Sequence, residues 1–341
     1  MRVVQDSLDD LLFTVYQRLL KQKRHAAKAP TKGPNVELIG AQLVLRNPLA
    51  RLSRAESRNL LFGQLGELLW YLSGKDRSEI IKYYLKNYPL DKEEDPAKVR
   101  SAYGPRLLQP GRVSELQRIV DLLRANPPSR RAVIPIYWPI DTLPHPDVPC
   151  TCTLQFMNRG GRLIMVTHMR SNDVWLGLPG DIFAFTMIQE LIARSLGLKV
   201  GPYHHLVGSL HLYDKHRKSA EAFVSEGFQY QLPMPAMPLG DQSAAVREVL
   251  KAEILIRRGR YGGSTDHLPQ YWADIIRLLQ IHAAYGRKDQ NALRRIRRRM
   301  RDSVYNTYIE RRKRVLETKT EIPVDEIQML NLNLDGGDLV H

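Results

Sequence analysis

Sulfur is scarce in this sequence: two cysteines stand among 341 residues. Two cysteines exclude a disulfide framework, and a bridge between positions i and i+2 of one strand is geometrically awkward. Such sparing use fits a reducing, cytoplasmic compartment. Long hydrophobic runs are missing too. No stretch approaches 18 uninterrupted apolar residues, and the opening MRVVQDSLDD has no apolar segment of the signal-peptide kind. The expectation is neither a helical membrane span nor a secretory leader. No internal repeat is present. Acidic residues thin out late in the chain. Between Lys251 and Thr320 there are 18 Lys and Arg against 7 Asp and Glu, which supplies most of the formal net charge of +15.

The remaining composition, 43% hydrophobic and 26% charged, is ordinary for a globular protein long enough to bury a sizeable core. Leu8, Leu11, Leu12, Val15, Leu19 and Leu20 recur at helical spacing. A basic Pro/Gly loop, KRHAAKAPTKGPN, follows, and VELIGAQLVL reads as a strand bent at its glycine. Residues 56–73 form a buried helix that carries Glu67 within GELLWYL. Residues 75–113 are polar and broken by prolines. Leu116, Ile119, Val120 and Leu123 mark a helix stopped by NPPS, and RRAVIPIYW reads as a strand. CTLQFMNRGGRLIMVTHMR has a hairpin pattern around NRGG. Residues 182–196 form a helix ended by Gly197, and HHLVGSLHLY returns to a strand. LPMPAMPLGD reads as a linker, the segments after it as Arg-rich helices, and NLNLDGGDLVH as a loose tail. Helices mixed with antiparallel hairpins make the class α+β.

Both cysteines lie in DVPCTCTLQF. An isolated Cys on a strand is ordinarily a small buried hydrophobe, and Cys152 is expected to fill an inward slot. Cys150 follows Pro149 at the start of the strand, where a thiol can face a cleft. A reactive thiol needs a cation nearby to favour the thiolate, and Arg130, Arg131 and Arg170 are the candidates.

At these residues the sequence resembles the thymidylate synthase family and its relatives, the pyrimidine-nucleotide hydroxymethylases. The resemblance rests on Pro149-Cys150, Gln155-Phe156, the run MRSNDVWLGLPGDI, His211-Leu212-Tyr213, GELLWYLSG and PSRRAVI, and it covers about residues 8–216. It implies a thymidylate synthase-like fold with a large mixed β-sheet and flanking helices. It also implies one-carbon transfer from 5,10-methylenetetrahydrofolate, as co-substrate, to C5 of a pyrimidine nucleoside monophosphate, without a metal. Cys150 matches the nucleophile that adds to C6. Arg170 and Ser171 match phosphate ligands. Arg130 and Arg131 match the pair that reaches the partner subunit's substrate, which implies a homodimer. Glu67 matches the proton-transferring glutamate beside the folate, and Tyr103 the tyrosine that assists loss of the C5 proton. Asp173 matches a pterin contact, His211 and Tyr213 the pair on the sugar hydroxyl, and Gln155 a substrate-strand residue.

Three departures are informative. Thymidylate synthases carry Asn where Asp181 stands, and cytidylate hydroxymethylases carry Asp. A carboxylate has no donor for uracil O4, whereas cytosine offers its N4 amino group and, when protonated, N3–H. Asp181 has a second reading as the N-cap of the helix at 182. The segment EIIKYYLKNYPLDKEED lacks the family's Trp, and DLVH does not resemble its closing tail. A less sealed site lets water add to the exocyclic methylene, giving a hydroxymethyl product from CMP or dCMP. The family's N-terminal phosphate loop is replaced by APTKGPN, where Lys32 is the candidate point charge. The expected division is a catalytic domain at 1–235 and a basic helical C-terminal extension at 236–341. The cluster NALRRIRRRMRDSVY, with Arg expected around most of a helix, admits a salt-dependent nucleic-acid surface. It lacks interleaved aromatics and any recognised nucleic-acid motif.

Overall fold

The computed structural model describes residues 1–22, 33–56, 58, 60–86, 88, 95–108, 113–145 and 147–311. Lys32, most of the basic loop before it and the tail NLNLDGGDLVH lie outside the described residues. Six strands form one mixed sheet: β1 (Arg2–Gln5), β2 (Asn35–Leu45), β3 (Val133–Pro135), β4 (Thr151–Arg159), β5 (Arg162–Asp173) and β6 (Lys199–Tyr213). Their spatial order is β1-β2-β6-β5-β4-β3. β1 is parallel to β2 and β5 to β6, and the other three pairings are antiparallel.

The helices are α1 (Leu8–Leu20), α2 (Leu61–Leu72), α3 (Ser78–Tyr84), α4 (Tyr103–Leu108), α5 (Glu115–Ala125), α6 (Leu178–Ser195), α7 (Arg217–Ser225), α8 (Ser243–Arg257), α9 (Gln270–Gly286) and α10 (Gln290–Arg297). The α+β class and the mixed sheet with flanking helices agree with the sequence reading. The β4–β5 hairpin turns at Gly160 and Gly161, whose φ angles of +56° and +70° suit the tight two-residue turn that right-twisted strands require. Residues 75–113 contain two short helices that their polar, proline-broken sequence does not announce. Pro105 sits in the first turn of α4, where its missing N–H costs nothing.

α6 links the parallel neighbours β5 and β6 and is buried nearly all round, as a central helix must be. Gln189 on α6 donates to the carbonyls of Leu163 and Gly201, which ties helix to sheet. Tyr203, His205 and Val207 of β6 face this layer. On the opposite face Ile164, Val166, His204 and Leu206 are only half-buried.

The C-terminal extension is helical, and its centre is apolar rather than basic. α9 is buried from Tyr271 to Tyr285 and packs on α2, α8 and α10. The stretch read as a linker buries Met234 and Met237. Met237 N–H donates to Glu190 of α6, whose carboxylate also pairs with the fully buried Arg51. Tyr84 of α3 donates to Glu253 of α8 at 3.1 Å. A single hydrophobic cluster runs from Val3 to Ile309 and has no gap at residue 235. The arginines do not encircle α10. Ala292, Leu293 and Ile296 form a buried face, Arg294 and Arg295 are exposed, and the helix ends at Arg297. Among the described residues, no helix is long and apolar enough to cross a membrane.

Candidate active site

The site gathers at the C-terminal end of β5, the first turn of α6 and the start of β4. Cys150 sits at the bend just before β4 and packs, half-buried, against the core. Its carbonyl accepts the Arg170 backbone N–H at 2.9 Å. The Arg170 guanidinium donates through Nε to Pro149 O at 2.9 Å and through Nη2 to Val148 O at 3.1 Å. The arginine therefore splints the turn that carries the thiol while its side chain remains exposed.

Cys152 does not fill the inward slot expected of it. Thr151 pairs with Met169 and Thr153 with His168, so a β-bulge falls at Cys152. A bulge adds one unpaired residue and re-aims the side chains around it. Thr151 is left pointing into the protein, fully buried, and Cys152 is half-buried outside the hydrophobic cluster. Neither cysteine is in a disulfide. Burial raises the Cys152 thiol pKa, with the Arg170 contacts opposing it.

Tyr103, at the start of α4, reaches Thr151. Its hydroxyl oxygen accepts from Thr151 Oγ1 at 3.0 Å and from Thr151 N at 3.3 Å. Its ring lies 4.9 Å from that of Tyr71 and stacks on Phe185 of α6. Burial holds the phenol pKa well above 10, and the charges of Asp181 and Cys150 add to the effect.

Glu67 projects from α2 and accepts the Tyr71 hydroxyl at 2.9 Å. A Cβ on Gly180 would lie 2.9 Å from Glu67 Oε2, so the carboxylate rests close against the first turn of α6. Burial raises the Glu67 pKa, and the Tyr71 hydrogen bond opposes it. Asp181 lies opposite. Burial pushes its pKa well above 3.8, the Glu67 charge adds to this, and a hydrogen bond from Asn172 opposes it.

The N-cap reading of Asp181 is not met. The helix begins at Leu178, with Gly177 at the N-cap and Pro179 in the first turn. Asp181 is the fourth helical residue, and its carboxylate accepts Asn172 Nδ2 at 2.8 Å. Asn172 Oδ1 lies 3.0 Å from His205 Nε2, and His205 Nδ1 lies 2.8 Å from the Tyr203 hydroxyl. Burial pushes the His205 pKa down to about 3.

Around this centre, Asp173 Oδ1 accepts the backbone N–H of Trp175 and of Leu176 at 2.8 and 3.1 Å. His211 and Tyr213 are in edge-to-face contact at 4.9 Å. Burial raises the Tyr213 pKa, helped by the charges of Asp173 and Cys150, so Tyr213 lies within electrostatic reach of both. Ser171 is half-buried on β5. Tyr88 stands in the segment that lacks tryptophan. Burial raises its pKa, as do Glu67, Asp147, Asp181 and Cys150, and its ring meets Trp70 edge-on.

Cys150, Tyr103, Glu67, Asp181, Arg170, Asp173 and Tyr213 are thus brought to one region, with His211 against Tyr213. Arg130, Arg131 and Gln155 are not. Val133 pairs with Gln155, five positions beyond Cys150, or about 17 Å along the strand. Both arginines precede β3, which runs antiparallel to β4, so they lie farther still, and both are exposed. Gln155 Nε2 donates to the Arg130 carbonyl at 3.0 Å. Asn172, His205, Tyr203, Tyr71 and Tyr88 belong to the region and carry no sequence expectation. Among the described residues, no group of three or more His, Cys, Asp or Glu could hold a metal ion.

A mixed-sheet α+β scaffold with a thiol at the start of a strand, near a buried phenol, a buried carboxyl and a half-buried one, defines a class of protein. A family model described as thymidylate synthase matches residues 48–256, more than half of the chain. The chain belongs to the thymidylate synthase family. Thymidylate synthases from three Listeria monocytogenes strains, serotype 4a (HCC23) and serotype 4b (CLIP80459 and F2365), are each 30% identical to it over 142 residues. The aligned region covers 42% of this chain and 44% of each relative. The chain therefore spans less than half the length of these curated relatives in the match.

Proposed function

We propose that this protein transfers a one-carbon unit from 5,10-methylenetetrahydrofolate to C5 of a cytidine monophosphate, CMP or dCMP, with water completing a 5-hydroxymethyl product. The Cys150 thiolate adds to C6, and the electron pair moves to C5, which attacks the one-carbon unit. The co-substrate supplies that unit at the oxidation level of formaldehyde. Tyr103, whose hydroxyl is bonded to Thr151 beside the nucleophile, assists removal of the C5 proton. The electron pair left at C5 forms the exocyclic methylene as the bond from the transferred carbon to tetrahydrofolate breaks and tetrahydrofolate leaves. Water then adds to the exocyclic methylene, and expulsion of Cys150 restores the ring. Glu67, whose pKa burial raises, serves as the proton donor and acceptor beside the base. Asp173 borders the folate side, and His211 and Tyr213 hold the sugar. Arg170 and Ser171 take the phosphate, joined by Arg130 and Arg131 of a second copy. Their distance from the chain's own Cys150 and the half-buried outer face of the sheet support a homodimer.

The choice of base rests on Asp181, which is buried near Glu67 and stands where the resemblance implies Asn in thymidylate synthases. Two carboxyl oxygens accept the N4 amino proton and the proton at N3. Sharing that second proton relieves the carboxyl's burial and makes C6 more electrophilic. A second reading, reductive methylation of a uridylate to the thymidylate level, is supported by the name shared by the relatives. Mass spectrometry of products from CMP, dCMP, UMP and dUMP, each with methylenetetrahydrofolate, separates the two. A gain of hydroxymethyl on a cytosine nucleotide supports the first. A gain of methyl on a uracil nucleotide replaces it with the second.

A further inference from the structure

Asp181 does not meet the site unsupported. It ends a buried chain of four side chains drawn from α6, β5 and β6: Asp181, Asn172, His205 and Tyr203. The contacts are 2.8, 3.0 and 2.8 Å. The direction of the chain follows from the chemistry of its members. An amide oxygen only accepts, so His205 carries its proton on Nε2. A histidine held neutral then has a bare Nδ1, which accepts from the Tyr203 hydroxyl. Asn172 is thereby fixed with its oxygen toward His205 and its NH2 toward Asp181. The amide cannot flip without opposing two donors or two acceptors, and no water-exposed alternative is at hand because all four residues are buried.

This direction matters because Asp181 is under pressure to become a neutral acid. Burial and the facing Glu67 of α2 both push it that way. Tyr71 of α2, Tyr103 of α4, Tyr203 of β6 and Tyr88 also lie near, and all of them are neutral phenols at physiological pH because burial holds their pKa values up. A protonated Asp181 offers one acceptor and one donor, the pattern of asparagine, and it pairs with N3–H and O4 of uracil as readily as with N4–H and N3 of neutral cytosine. An ionised Asp181 only accepts: it leaves uracil O4 without a donor, whereas cytosine meets it with N4–H and a proton held at N3. The donor aimed at it from Asn172 is the hydrogen bond that favours the accepting form.

We propose that Asn172 and His205 are positioning residues for base choice: they present Asp181 to the pyrimidine edge as an acceptor only. The inference rests on the cytidylate reading above. Neither residue needs to touch the substrate. Their contribution is carried through the Asn172 amide, whose orientation His205 sets and Tyr203 secures.

The test is calorimetric binding of CMP, dCMP, UMP and dUMP to the full chain and to Asn172→Ala, His205→Leu and His205→Gln. The wild type is expected to favour the cytosine nucleotide by about tenfold or more. Asn172→Ala and His205→Leu should lose that preference, mainly by admitting uracil. His205→Gln retains an N–H for Asn172 and should recover most of it. A purely structural role would weaken both bases in parallel and leave the ratio alone. A cytosine preference that survives in both Asn172→Ala and His205→Leu overturns the proposal and leaves the cytidylate reading standing. A wild type that favours uracil overturns the cytidylate reading and the proposal with it. If the larger substitutions prevent folding, Tyr203→Phe, which removes one hydroxyl and frees the His205 tautomer, decides. A lowered base ratio supports the relay, and an unchanged one overturns it.

Discussion

The Tyr103 hydroxyl accepts a 3.0 Å hydrogen bond from Oγ1 of Thr151, the residue that follows Cys150. The phenol on α4 is thus registered to the start of β4, where the thiol sits. Tyr103→Phe should lower kcat by about 10²–10⁴, the range typical of a lost acid–base group. KM for the nucleotide should change little, because the phenol is not placed on the phosphate. Thr151→Val removes only the stronger of the two bonds to the phenol and should fall between wild type and Tyr103→Phe. Steady-state kinetics on the three proteins checks this. Equal kcat for wild type and Tyr103→Phe would remove Tyr103 from the mechanism.

The bulge at Cys152 separates the fates of the two thiols. Cys150→Ser should abolish turnover and keep nucleotide binding, since Arg170 and Ser171 are untouched. Cys152→Ser should keep turnover and shift stability by no more than about 1 kcal/mol, because the side chain is outside the packed core. Turnover assays and denaturant melts on both variants decide the assignment. A dead Cys152 variant beside an active Cys150 variant would reverse it.

The bulge also marks a limit of sequence reading. Alternation places Cys150 and Cys152 on one face, and nothing in CTCTL announces the extra residue that breaks it. The β4–β5 hairpin was legible because NRGG offers two glycines for its turn. The start of α6 was displaced by four residues because Leu178-Pro179-Gly180 looks like a breaker. Proline is tolerated in the first helical turn, so the helix begins earlier and Asp181 moves from cap to interior. The motif residues Cys150, Glu67, Tyr103, Asp181 and Arg170 were found by resemblance. The Asn172–His205 contact was not, since its members are 33 positions apart. The available signal was weak: His205 alternates with the inward Tyr203 and Val207, and a buried polar side chain requires a partner. Arg-rich composition after residue 250 hid the apolar α9, whose two charged residues, Asp274 and Arg277, are buried as an ion pair.

Glu67 gives a prediction in pH. Burial raises its pKa above 4.5 in the folded protein, so the folded state holds a proton that the unfolded state has released. Its contribution to stability is full below about pH 4.5 and is lost as pH rises through the folded pKa. Glu67→Gln removes this loss. The variant should melt at a higher temperature than wild type at pH 7–8, and the difference should shrink toward zero near pH 4. Melting curves across that range test the sign. A variant that is less stable at neutral pH would show that the carboxylate is better compensated than its surroundings indicate.

The extension should behave as core. Trp272 of α9 is buried, and its Nε1 donates to Gln242 Oε1 at 2.8 Å. Trp272→Ala should cost about 3–5 kcal/mol, as large-to-small changes in packed interiors do. The unfolding transition should remain single, because one hydrophobic cluster joins α9 to the sheet. Urea denaturation followed by two probes checks both points. Two separated transitions, with only the later one unchanged by the substitution, would make the extension an independent unit.

Asp181→Asn is the sharpest test of base choice. The N-cap role that could have explained an aspartate here is absent, since the helix starts three residues before it. The side chain is buried, and its recorded hydrogen bond comes from Asn172. An asparagine keeps an oxygen for that bond and puts an NH2 where the second carboxyl oxygen was. The edge presented to the pyrimidine changes from two acceptors to one acceptor and one donor. Cytosine loses a partner for one of its two protons, and uracil gains a donor for O4. The ratio of kcat/KM for cytosine over uracil nucleotides should fall by about 10² or more, within the 10⁴–10⁵ that hydrogen-bonding sites reach. Arg170 and Ser171 are unchanged, so affinity for the phosphate should hold. Burial makes the substitution stabilising or neutral at pH 7, by the same sign argument as for Glu67: an aspartate whose pKa is raised loses stability as pH rises, and an amide does not. A loss of cytosine activity therefore cannot be ascribed to unfolding if the melting temperature is kept. An unchanged base ratio in a folded Asp181→Asn protein would place base recognition elsewhere.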